Sequence, residues 1–135
     1  MNVLVDTSIW SYAFRSNNEK YQAETKELIA LINNQRAVII GPIRQKILSG
    51  YSDLNKFSAI RNKLSYFENA PIMDSDYELA AEFSNQCRKK GIQGSHIDFL
   101  ICAVAARTNM PIFTTDKDFE QYQKIIPITL YALPL

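Results

Sequence analysis

The chain has one histidine, two cysteines and no Cys-x-x-Cys pair. A zinc site built on nitrogen and sulfur ligands is therefore disfavoured, and a four-ligand structural one lacks the residues. Cys87 and Cys102 lie in helical-looking segments, far too few for a disulfide framework, and read as buried thiols in a reducing compartment. No apolar run approaches membrane-spanning length, and no charged-then-apolar leader precedes Val3, so the expectation is a cytoplasmic protein without a membrane partner. Charge of one sign is also missing: the net charge is +1 and the sequence pI about 7.7. That balance leaves nucleic-acid binding to a local patch rather than to the whole field. Repeats, linkers and low-complexity tracts are absent. What remains is one domain, residues 1–135, with an ordinary 47% hydrophobic content and enough length to bury about 68% of its unfolded surface.

Short β-branched runs alternate with helical patterns. Strands are expected at Asn2–Val5, Ala37–Ile40, Pro71–Met73, Ile112–Thr114 and Ile126–Leu130. Helices are expected at Ser8–Phe14, Glu19–Asn34, Gly41–Leu48, Asp53–Phe67, from Asp74 or Ser75 to Lys90, Ser95–Arg107 and Asp118–Gln123, with a loop at Arg15–Asn18. Proline at Pro42 suits a first helical turn, and Gly91 suits a helix stop. Ile97, Leu100, Ile101, Val104 and Ala105 follow the spacing of one buried helical face. Such alternation predicts an α/β fold: an α/β/α sandwich around a central, mostly parallel five-stranded sheet.

Three aspartates stand out. Asp6 follows the first strand, Asp116 follows Ile112–Thr115, and Asp98 opens a helix. Each has a local explanation as a helix-capping residue, and Ser95-His96-Ile97-Asp98 is close to a capping box. Together they say more. Acids that follow parallel strands share the carboxyl edge of the sheet, where ligands bind in open α/β folds. The 3.6-residue period places Asp98 about 100° from Ile97, bordering the buried stripe. Clustered carboxylates repel unless a cation joins them. Oxygen-only ligands suit Mg²⁺ or Mn²⁺, ions that activate water and stabilise the leaving oxygen in phosphodiester hydrolysis. A phosphoacceptor receiver domain also gathers aspartates around a lysine, but it needs an acid directly after its third strand, where this chain offers only Asp74.

The motifs Val5-Asp6-Thr7-Ser8, Ile40-Gly41-Pro42-Ile43-Arg44-Gln45, Ile97-Asp98-Phe99-Leu100-Ile101 and Thr114-Thr115-Asp116-Lys117-Asp118-Phe119 occur in that order. In this the chain resembles PIN-domain ribonucleases, and within them the VapC toxins of type II toxin–antitoxin systems. The resemblance implies a Mg²⁺- or Mn²⁺-dependent endoribonuclease acting on RNA such as tRNA. It also implies a homodimer and a cognate VapB-type antitoxin. Asp6, Asp98 and Asp116 match the family's metal-binding acids, Asp118 an auxiliary acid, and Ser8 and Thr115 the small polar residues lining the site.

Lys46 departs from the pattern. Family members usually carry glutamate there. A charge at about 4 Å in an effective dielectric of about 20 is worth about 4 kcal/mol, so exchanging an acid for a lysine weakens metal binding substantially. Lys46 shares a helical face with Ile43 and Ile47, which turns it partly inward unless it snorkels. Two functions follow: a ribonuclease weakened or silenced at Lys46, or a silent PIN module that binds antitoxin or RNA without cleaving. Arg44, Lys46, Arg61, Lys63, Arg88, Lys89 and Lys90 are candidate phosphate contacts against a background of solvated helix faces.

Overall fold

The computed structural model describes residues 1–15 and 19–134, so most of the loop expected at Arg15–Asn18 lies outside the described residues. Three strands form the sheet: β1 (Val3–Val5), β2 (Ala37–Val38) and β3 (Ile112–Phe113). Their order is β2-β1-β3, and both pairings are parallel, with Val3 opposite Ala37 and Leu4 opposite Ile112. Two further segments each join through one parallel bridge, Ile39 to Asn69 and Ile112 to Leu130. The expected five parallel segments are thus present, but the outer two are reduced to single contacts.

Two strand positions need correction. The third segment lies at Asn69–Ala70, where the Ala70 amide bonds the Ile39 carbonyl at 2.8 Å, and not at Pro71–Met73. A proline has no amide to give to a ladder. In the last segment only Thr129–Tyr131 pairs with β3, through Ile112 N to Thr129 O at 2.9 Å and Tyr131 N to Ile112 O at 2.8 Å. Ile126 is instead held by the preceding turn, its amide on the Tyr122 carbonyl.

The helices are α1 (Thr7–Phe14), α2 (Gln22–Asn33, after a 3₁₀ turn at Glu19–Tyr21), α3 (Gly41–Ser49), α4 (Leu54–Leu64), α5 (Asp74–Lys89), α6 (His96–Thr108) and α7 (Asp118–Gln123). One group packs α1 on α2 and α3, with α3 on α4; α5 packs on α6. Together they flank the sheet. In α2, Leu28 and Leu31 are buried and Ala23 is exposed, so its buried face starts after the first turn. Met73 is the residue before α5, and Asp76 reaches back to its amide at 2.8 Å, so neither Asp74 nor Ser75 is the cap. Pro42 sits in the first turn of α3, and Gly91 takes φ +78° just beyond α5, as expected.

β1 is buried on both faces and lies at the centre of the core with Ile9, Ile40, Ile43, Val104 and Phe119. Trp10 is also core: its indole NH donates to the Val5 carbonyl at 3.1 Å, and its ring meets Phe67 edge-on at 5.0 Å. Cys87 and Cys102 are free and buried. Among the described residues no helix is long and apolar enough to cross a membrane.

Candidate metal centre

Asp6 ends β1 and caps α1. Its amide bonds the Phe113 carbonyl at 2.9 Å, which fixes its backbone to the neighbouring strand. One carboxylate oxygen accepts from the Thr7 amide at 2.8 Å, the other from the Thr114 hydroxyl at 2.7 Å. The capping reading and the edge-of-sheet reading of Asp6 are therefore both correct.

Asp98 lies in the first turn of α6 and is buried. Ser95 Oγ accepts the Asp98 amide at 3.1 Å, half of a capping box. The other half is not made. The Asp98 carboxylate instead accepts the Tyr122 hydroxyl at 2.7 Å.

Asp116 lies on the turn between β3 and α7, and Asp118 opens α7; both are exposed. Asp116 accepts the Asp118 amide at 3.0 Å, a local turn that orients its carboxylate. One oxygen each from Asp98, Asp116 and Asp118 gathers within 4.8 Å. Asp6 stands outside that trio but is tied to it. Thr114 Oγ1 donates to Asp6 and accepts the Asp116 amide at 3.0 Å, so one hydroxyl spans both strand ends.

The electrostatics match this crowding. Burial pushes the Asp6 carboxyl above its ordinary value, and Asp98 adds to that; the bonds from Thr114 and Thr7 and the charge of Lys46 pull it back. Asp118 is raised first by its neighbour Asp116, then by burial and Asp98. Burial raises the Tyr122 hydroxyl, and donation to Asp98 raises it further. Cys102 is driven up by burial, with Asp98 and Asp6 contributing. A divalent cation reverses the repulsive part of these shifts.

Ser8 and Thr115 are joined to each other rather than to the acids. The Thr115 amide meets Ser8 Oγ at 3.4 Å, and the Thr115 hydroxyl shares a 2.7 Å bond with Tyr12. Lys46 is exposed while Ile43 and Ile47 are buried. The exposure agrees with a side chain in solvent, although the Lys46 charge still reaches Asp6. Among the described residues Arg107 with Asp76 makes the sole ion pair, so Lys46 forms no salt bridge to Asp6 or Asp98. Arg44, a candidate phosphate contact, has its guanidinium engaged within the fold. Its guanidinium is used on Asn69 Oδ1 at 2.9 Å and on the carbonyls of Leu64 (2.8 Å) and Phe67.

Sequence reading missed two members of this constellation. Thr114 was legible only as a strand residue, although a hydroxyl two positions before Asp116 is a turn signal. Tyr122 sits three residues after Phe119 and reads as the apolar face of α7; nothing local announces that its hydroxyl reaches Asp98.

A parallel sheet with acids gathered on its carboxyl edge defines the class. The PIN domain family model matches residues 3–125, and the chain belongs to that family. Among curated relatives it is similar to VapC ribonuclease Mb1587 of Mycobacterium bovis and to ribonuclease VapC11 of Mycobacterium tuberculosis. Each is 29% identical over 125 residues, covering 91% of this chain and 92% of the relative. Among solved structures, FitAcB from Neisseria gonorrhoeae superposes with a TM-score of 0.78 at 16% identity, covering 96% of both chains. VapBC2 from Rickettsia felis, bound to a DNA fragment from their promoter, gives 0.75 at 18%, covering 97% of this chain and 98% of the other. At such identities the structural likeness speaks for the fold.

Proposed function

We propose that this chain is the toxin of a VapBC-type toxin–antitoxin pair, a metal-dependent endoribonuclease whose activity is weakened or abolished by Lys46. The observation that carries the reading is the gathering of Asp98, Asp116 and Asp118 oxygens within 4.8 Å. The donor set fits a hard divalent cation: oxygen only and anionic, with no histidine or cysteine in the group. Asp98, Asp116 and Asp118 would hold Mg²⁺ or Mn²⁺, with Asp6 completing the acidic wall. Such an ion supplies activation of water and neutralisation of charge on the leaving oxygen of a phosphodiester.

The chain's own residues do the positioning. Thr114 sets Asp6 against Asp116, Ser95 fixes the first turn of α6, and Ser8 and Thr115 brace the turn that carries Asp116. RNA, with tRNA as one candidate, would approach the exposed Asp116–Asp118 side. A VapB-type antitoxin is the partner in this proposal, supported by the similarity to VapC ribonucleases and by the VapBC assemblies among its structural neighbours; a homodimeric state and a cytoplasmic location are part of the same proposal.

A second reading has its own support. Lys46 already acts on Asp6 as a cation where the family's glutamate would add an acid. On that reading the chain is a silent PIN module that binds antitoxin or RNA. RNA cleavage by this chain and by Lys46→Glu, each with and without Mn²⁺, separates the two. The weakened-nuclease reading expects metal-dependent cleavage to rise at least tenfold in the variant. Equal rates in both proteins reject inactivation by Lys46, and no cleavage by either rejects the nuclease.

A further inference from the structure

Tyr122 is fully buried and belongs to α7, whereas Asp98 belongs to α6. The two are joined by one hydrogen bond, from the Tyr122 hydroxyl to Asp98 Oδ2 at 2.7 Å. The phenol ring is wedged between Phe119, edge-on at 5.2 Å, and Phe99 at 5.0 Å. Both rings are core residues, so the hydroxyl has little freedom to leave the carboxylate. The wall behind it is Gly94. A methyl group there would lie 2.2 Å from Tyr122 Oη, 2.8 Å from Cζ and 3.0 Å from Phe99 Cε2. Gly94 has no positive φ that would demand glycine, since Gly91 is the glycine with that geometry. Space alone explains it: the missing side chain is the room occupied by the Tyr122 hydroxyl.

Asp98 is the buried member of the acid trio. Its partners Asp116 and Asp118 are exposed and can adapt to an ion, but Asp98 has to be presented by its surroundings. A hydrogen-bonded partner behind a ligating carboxylate fixes its orientation and tunes its basicity, and loss of such a partner costs 10–100-fold in metal affinity.

We propose that Tyr122 is a positioning residue that acts through Asp98, and that Gly94 is the cavity that lets it do so. This rests on the metal-site reading above. The Gly94–Tyr122–Asp98 relay sets the affinity of the acid cluster for its cation without touching cation or RNA. It also couples α7, whose first residue is Asp118, to the start of α6.

The test measures Mn²⁺ binding by electron paramagnetic resonance in the full chain carrying Lys46→Glu, and then with Tyr122→Phe, Gly94→Ala or both added. Phe119→Leu serves as a packing control, because it disturbs the same ring cluster but leaves the hydroxyl in place. Tyr122→Phe is expected to weaken Mn²⁺ binding about tenfold. Gly94→Ala should do likewise, and the double variant should fall no further than either alone. Phe119→Leu should lower the melting temperature but shift Mn²⁺ affinity less than twofold. Unchanged affinity in Tyr122→Phe overturns the proposal and leaves the metal site standing. Equal losses in Tyr122→Phe and Phe119→Leu overturn it in favour of packing. If the Lys46→Glu parent binds no Mn²⁺ at all, the metal reading itself falls and takes this relay with it.

Discussion

Thr114 and Asp6 are 108 positions apart in sequence, and their side chains meet at 2.7 Å. The same hydroxyl accepts the Asp116 amide, so it serves as donor and acceptor at once. Thr114→Val keeps the shape and removes both bonds. The expected loss is about 1.5–3 kcal/mol in urea denaturation, the range for hydrogen bonds to charged groups. Because this bond lowers the Asp6 carboxyl, its loss moves that group further upward. Metal binding, which needs the ionised form, should then weaken more at pH 6 than at pH 8. Thr114→Ser should behave as the parent; a Val variant of parental stability contradicts the assignment.

Lys46 offsets part of the acid repulsion. In metal-free protein, Lys46→Glu replaces an attraction on Asp6 with a repulsion, so the folded state loses about 1 kcal/mol after solvent screening. The sign follows from Asp6, whose raised carboxyl favours protonation in the fold. Stability of the variant should therefore climb as pH falls through that group's folded value. Saturating Mn²⁺ should restore it at neutral pH. Thermal melts with and without Mn²⁺ decide the matter, and a variant more stable than the parent without metal counts against it.

Asp76 and Arg107 join α5 to α6 through bonds of 2.6 and 2.9 Å. Burial pushes the Asp76 carboxyl up, but the Arg107 guanidinium and the Met73 amide outweigh it, and the net direction is down. A lowered carboxylate stabilises the fold above its unfolded value of about 3.9 and loses that contribution as pH falls through the lower folded value. Arg107→Met should cost about 2 kcal/mol at pH 7, with the partly exposed arginine holding the figure down. It should also flatten the acid limb of the stability curve. A parallel downward shift at every pH points to packing instead.

Arg44 has been placed by its bonds to the end of α4. Arg44→Ala removes the bonds to Asn69 Oδ1 and to the Leu64 and Phe67 carbonyls, for about 2 kcal/mol of lost stability. Affinity for a generic single-stranded RNA should stay within twofold in a filter-binding assay. A fivefold loss of RNA affinity with unchanged stability supports a phosphate contact.

These cases show where sequence reading stops. Periodicity placed Asp98 on the border of a buried face, because helical spacing is a local property, and burial of Asp98 agrees. Strand ends placed Asp6 and Asp116 on one edge, because parallel topology leaves no other choice. Side-chain direction was a different matter. Asp98 looked like a capping partner of Ser95, yet it turned to Tyr122, 24 residues away. Arg44 looked like surface charge, yet the α4 terminus drew it in. Lys46 shared a face with Ile43 and Ile47, but four methylenes let its ammonium reach water. Each miss is a flexible polar group choosing among partners brought together by the fold.

The central position of β1 has one more consequence, for the order in which the chain is made. β1 is synthesised well before β3, its neighbour on one side, which begins at Ile112. The same closing segment supplies Thr114, Asp116, Asp118 and Tyr122. A ribosome that stops after α6 releases a polypeptide with Asp6 and Asp98 but with one flank of β1 unzipped. Such an open edge recruits other chains. Premature termination there is expected to yield a sticky fragment rather than a half-built site, and the acid trio exists only in a polypeptide that already carries the β3 partner of β1.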